Sequence, residues 1–149
     1  MGMTVTLDRM IHTNAAHHEL GKEIGLEGCC AFGGKGSDLN PIDLVAIGVA
    51  SCMIIVMAKS AQGKGIDLTG TWADTTYDLK DYKIASITVN IHSPHSPSAS
   101  EQEFLEKESH CCPVYLAVKD GVAVKVAFEW GTTASPVVKK AKHSCCQCG

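Results

Sequence analysis

The chain has no dense stripe of lysine and arginine outside its short C-terminal tail, and Arg9 is its only arginine. With a formal net charge of −3, it offers no electrostatic footprint for nucleic acid or for an anionic membrane surface. Thr4, Thr6, Asp8 and Arg9 stand where a secretory leader would need an apolar run, so a cytosolic protein is expected. The longest apolar run, Leu44 to Ala58, is bracketed by Asp43 and Lys59 and reads as too short for a bilayer span of about 20 residues. Phosphate-cradle spacing is missing as well. Gly33-Gly34-Lys35-Gly36-Ser37 lacks the G-x-x-x-x-G-K-[ST] pattern and reads as a flexible loop. The tail set His143, Cys145, Cys146 and Cys148 offers four soft ligands but is spaced too tightly for the usual paired C-x₂-C zinc arrangement. No metal or cofactor is therefore expected. Eight cysteines without a secretion signal, in 149 residues, point to reduced thiols and not to a disulfide framework.

A composition of 45% hydrophobic and 19% charged residues is that of a globular domain with a real core. Asn40 is a plausible N-cap, Pro41 suits the first turn, and Gly63 and Gly65 stop the pattern near Gln62. The helix between them is apolar nearly all round, so it needs cover on most faces, in the centre of the fold or in a subunit interface. Ser98-Ala99-Ser100-Glu101 is a capping box that opens a second helix to about Ser109. Residues 84–91 and 122–130 alternate apolar and polar and read as half-buried antiparallel strands. Met3–Asp8, His18–Glu27 and Ile66–Tyr77 are weaker strand candidates.

Two cysteines sit in settings that suit redox chemistry. Cys52 lies within the apolar helix, where a cysteine is most often a small core residue. Cys112 directly precedes Pro113, which places its sulfur at a helix N-cap, where open N–H groups favour a thiolate. Cys111 beside it ranks second. Cys29 and Cys30 read as packing residues.

Asn40-Pro41-Ile42-Asp43-Leu44, Ala50-Ser51-Cys52, Gly65-Ile66 and Cys112-Pro113-Val114 with Leu116 together resemble the OsmC/Ohr family of osmotically inducible and organic-hydroperoxide-resistance proteins. The Gly33–Gly36 approach resembles the OsmC-like branch. The resemblance spans roughly Met3 to Trp130. It implies an α+β fold, two antiparallel sheets around central helices in an intertwined homodimer, with residues 1–131 as the domain and 132–149 as a flexible Lys/Cys-rich tail. It further implies a peroxidatic Cys52 and a resolving Cys112, a hydroperoxide substrate, and a dithiol reductant of the dihydrolipoamide or thioredoxin kind. One departure stands out. The peroxidase branches carry a glutamate directly after the proline, where this chain has Ile42. Asp43 is a candidate replacement, or else a first-turn partner of the helix dipole. Arg9 is the candidate for the thiolate-holding arginine, with His17 and His18 as other candidates for that place. The competing class is a non-catalytic OsmC-like protein with a ligand-binding, redox-sensing or metal-binding role.

Overall fold

A computed structural model describes residues 2–136; the expectation of a flexible tail falls mostly on residues outside that range. The described chain divides into one compact unit ending at Val45 and another beginning at Ala46. The long helix α1 (Pro41–Gln62) contributes to both.

In the first unit, β1 (Met3–Arg9), β2 (His12–His17) and β3 (Lys22–Glu27) form an antiparallel meander. Met10 turns the chain at φ 36° and Gly21 at φ 59°, left-handed conformations that tight strand connections require. β1 appears where the sequence predicts it. The predicted strand His18–Glu27 is corrected: His18 to Gly21 form the turn, and the strand begins at Lys22. β2 has little strand signal, since Thr13 is its only β-branched residue, and pairing on both sides holds it in place. β1 is exposed along its length, with Met3, Val5 and Leu7 alternating on one face.

After β3 the glycine run forms a loop around an internal carboxylate. Glu27 accepts hydrogen bonds from Lys35 N–H at 3.1 Å, Ser37 N–H at 2.9 Å and Ser37 O–H at 3.1 Å. These donors hold the Glu27 carboxyl down at about 2. Gly34 is required for a steric reason, because a Cβ there would lie 1.8 Å from the Gly28 carbonyl oxygen. The loop ends at the α1 cap, where Asn40 Oδ1 accepts from Ile42 N–H and Asp43 N–H at 2.8 and 3.0 Å.

In the second unit, α1 buries Ala46, Val49, Ala50, Met53, Met57 and Ala61, a stripe at helical spacing. Ile47 and Ile55 remain 43% and 63% exposed. The helix has 22 residues with a mean hydropathy of 2.2 over its apolar window, so it is long and apolar enough to cross a membrane. The argument from run length is thereby corrected; the fold has to decide what this helix does.

β4 (Trp72–Lys80) and β5 (Lys83–Ser93) form an antiparallel hairpin through Asp81 and Tyr82, at φ 52° and 58°. The predicted strand Ile66–Tyr77 thus begins and ends later. β6 (Ala123–Trp130) pairs parallel to β5, which corrects the antiparallel expectation for this strand. A parallel connection needs a long crossover, and residues 94–122 provide it with α2 (Ala99–Ser109) and α3 (Pro113–Val118). The capping box is present at the head of α2, with Ser98 N–H donating to Glu101 at 2.8 Å. Met53, Met57, Ile87, Val89, Ile91 and Leu105 form the centre of the core. The expected α+β class with two sheets is observed, each sheet having three strands.

Candidate functional site: a thiol pair

Helix α1 carries Cys52 one position before the fully buried Met53, so its side chain emerges at the edge of the buried stripe. It is half-buried. On the crossover, the turn after α2 closes with Cys112 N–H donating to the Ser109 carbonyl at 3.3 Å. Pro113 then fixes the first residue of α3 in helical geometry and leaves no N–H to satisfy. Cys112 becomes the N-cap, and its sulfur accepts from Tyr115 N–H at 3.3 Å.

The structure brings the two sulfurs together. Cys112 is fully buried, and its thiol interacts directly with Cys52; both are free thiols. Burial pushes the Cys112 thiol up, and contact with Cys52 pushes the same way, while Tyr115 and Val114 N–H groups pull against them. The net direction is up, which corrects the expectation that the N-cap would favour a thiolate. The two N–H groups at the helix end do not offset desolvation in a fully buried place. Gly48 of α1 faces Val114 of α3, whose side chain would lie in ordinary contact, at 3.9 Å, with a Cβ at that position. Ser60 donates to Glu108 at 3.0 Å, a bond between α1 and α2.

The other sequence candidates lie elsewhere. Cys111 is exposed, and its thiol faces the Lys107 carbonyl at 4.0 Å. Asp43 accepts from Asn40 N–H at 2.8 Å, a capping role. Arg9 ends β1 and is exposed. His18 is an exposed turn residue whose ring bonds the Thr4 hydroxyl. His17 accepts from Leu20 N–H at 3.3 Å. All of these except Cys111 belong to the first unit. The tail cysteines and His143 lie outside the described residues.

Sequence reasoning missed two residues. His110 packs edge-on against Tyr115, with ring centroids 5.0 Å apart, and bonds the Glu106 carbonyl at 2.8 Å; its place two residues before Cys112 was the available signal. His12 is bonded by Asp8 at 2.7 Å and Asp38 at 3.0 Å, and nothing local in the sequence marks the second partner.

The OsmC-like protein family model matches residues 34–127, the stretch that holds both cysteines. No curated protein matches the sequence. Among solved structures, the chain is similar to a Psychrobacter arcticus protein assigned to osmotic stress induction and detoxification response, at 25% identity and a TM-score of 0.81, covering 85% of this chain and 94% of that one. An organic hydroperoxide resistance protein OsmC from Legionella pneumophila is 22% identical with a TM-score of 0.66, covering 85% and 94%. The organic hydroperoxide resistance protein OhrB of Bacillus subtilis is 19% identical with a TM-score of 0.63, covering 86% and 96%. The apolar helix α1 is thus an element of a known α+β fold, and the chain belongs to the OsmC-like protein family.

Proposed function

We propose that this protein is a thiol-dependent peroxidase that reduces hydroperoxides, organic ones foremost, with Cys52 as the peroxidatic and Cys112 as the resolving thiol. The observation that carries this reading is the direct contact between the two thiols. In the first step the Cys52 thiolate attacks the distal oxygen of ROOH. The O–O bond breaks, ROH leaves after taking up a proton, and Cys52 becomes a sulfenic acid. Cys112 then forms an S–S bond with Cys52 and its proton leaves with the hydroxyl as water. A dithiol, dihydrolipoamide-like or thioredoxin-like, reduces the disulfide and is itself oxidised.

The two environments divide the labour. A buried thiol held protonated is a poor nucleophile towards peroxide, so Cys112 waits, while half-buried Cys52 is open to substrate. The Tyr115 N–H supports charge developing on Cys112 only when the sulfenic acid is already beside it. A homodimer in the cytosol completes the proposal: the exposed Ile47 and Ile55 on α1, and Met3, Val5 and Leu7 on β1, are faces that a second copy would cover.

A second reading has its own observation. Ile42 replaces the acidic residue of the peroxidase branches, and the Asp43 carboxylate is bonded by Asn40 N–H, which favours a non-catalytic role in ligand binding or redox sensing. One experiment separates the two. Reduced protein is treated with one equivalent of tert-butyl hydroperoxide and its peptides are mapped. The expected product is a Cys52–Cys112 disulfide. Oxidation confined to other cysteines, with Cys52 and Cys112 left free, would overturn the peroxidase reading.

A further inference from the structure

His12 is buried, at 9% exposure, yet both its ring nitrogens have carboxylate partners: Nδ1 lies 2.7 Å from Asp8 Oδ1 and Nε2 lies 3.0 Å from Asp38 Oδ2. A neutral imidazole has one N–H. Only the imidazolium donates to both carboxylates. Gly25 of β3 leaves room for the ring, since a Cβ at that position would lie 3.2 Å from His12 Nε2.

The charged groups that face His12 come from three elements. β1 supplies Asp8 and Arg9, and the loop before α1 supplies Asp38. On β3, Glu27 is the Cα partner of His12, but its carboxylate is engaged by the Lys35 and Ser37 N–H groups. The Asp8 hydrogen bond raises the His12 midpoint most and Asp38 adds to it, against burial and Arg9. Arg9 is the Cα partner of His12 across β1 and β2, where the register is irregular between Leu7 and Arg9. Asp8 interacts with both cations, more strongly with His12 than with Arg9.

We infer that His12 is a pH-sensitive clamp within the first unit: as an imidazolium it ties Asp8 of β1 to Asp38 of the loop before α1. Loss of the ring proton leaves one N–H for two carboxylates and removes the charge that holds Asp8, whose own charge then turns to Arg9. The clamp's contribution to stability should therefore be present below the ordinary imidazole range and be lost on the alkaline side as His12 deprotonates.

The test is an NMR titration of the ¹⁵N-labelled full chain, with both His12 ring nitrogens followed, beside the urea midpoint over the same pH range. Both nitrogens should be protonated at neutral pH, with a midpoint above the ordinary value of about 6.5. Asp38→Asn keeps the side-chain shape and should move the midpoint down by about 1 pH unit, and the alkaline fall of the urea midpoint should move with it. A His12 midpoint at or below about 6.5, or one that Asp38→Asn leaves unmoved, overturns the clamp. A titration that shifts while the urea midpoint does not follow overturns the contribution to stability.

Discussion

Asn40 and Asp43 close each other's open backbone groups: the Asp43 carboxylate accepts the Asn40 N–H at 2.8 Å, and the Asn40 side chain accepts the Asp43 N–H at 3.0 Å. This reciprocal cap fixes where α1 begins. Asp43→Ala should lower the unfolding free energy by about 1 kcal/mol, the usual size of a lost cap, seen as a lower urea midpoint. The rate of Cys52 oxidation should change less than about threefold, since a cap touches no reacting atom. A rate loss of a hundredfold at unchanged stability would give Asp43 the role of the missing glutamate.

The two cysteine variants should fail in different ways. Cys52→Ser removes the nucleophile and should abolish steady-state peroxide consumption with a dithiol reductant. Cys112→Ser should still allow one oxidation, trapped by a sulfenic-acid reagent, and then stall. Cys111→Ser, on an exposed thiol facing a carbonyl, should match the unaltered protein in both assays. Sulfenic acid trapped on Cys112 in the Cys52→Ser protein would reverse the assignment.

Sedimentation should find a dimer at micromolar concentration. Ile55, 63% exposed on α1, should lie in the interface. An isoleucine side chain buried there stabilises by about 1.5–3 kcal/mol, so Ile55→Lys should weaken association by about tenfold or more. A soluble, folded monomer from the unaltered chain would remove the dimer from the proposal.

Acid stability should follow Glu27. Its carboxyl is held at about 2 against an ordinary 4.5 by the Lys35 and Ser37 N–H groups. A depressed carboxylate contributes stability that is fully present above the ordinary value and is lost as pH falls towards the folded one. Between pH 4.5 and about 2, Glu27→Gln should therefore show a flatter loss of stability than the unaltered chain, having been less stable at neutral pH from the start. Parallel acid-denaturation curves for the two proteins would count against the loop geometry.

What the sequence revealed is what neighbours in the chain decide. Asn40-Pro41, Ser98 with Glu101, and Cys112-Pro113 each set a helix start through contacts within three residues, and all three starts stand where they were expected. The alternation of β5 and β6 was equally legible, because period-two patterning is local. The direction of β6 was not, since alternation is the same in parallel and antiparallel pairs and only the crossover decides. β2 was missed because its residues have weak intrinsic strand preference and depend on two partner strands. The thiol pair was suggested by motif, but its contact joins residues 60 apart in the chain. The sign of the Cys112 shift was missed because local capping favours the thiolate, while burial, a property of the whole fold, disfavours it.

The parallel union of β5 with β6 also orders events in time. β6 cannot take its place until residues 94–122 have crossed over, and closing so long a loop is costly before its contacts form. Cys112 rides on that crossover, whereas Cys52 rides on a helix that precedes it. Until β6 docks, the far end of the crossover that carries Cys112 has no strand to anchor it. The sulfur pair should be among the last features to assemble during folding, and the first to come apart when β6 peels away.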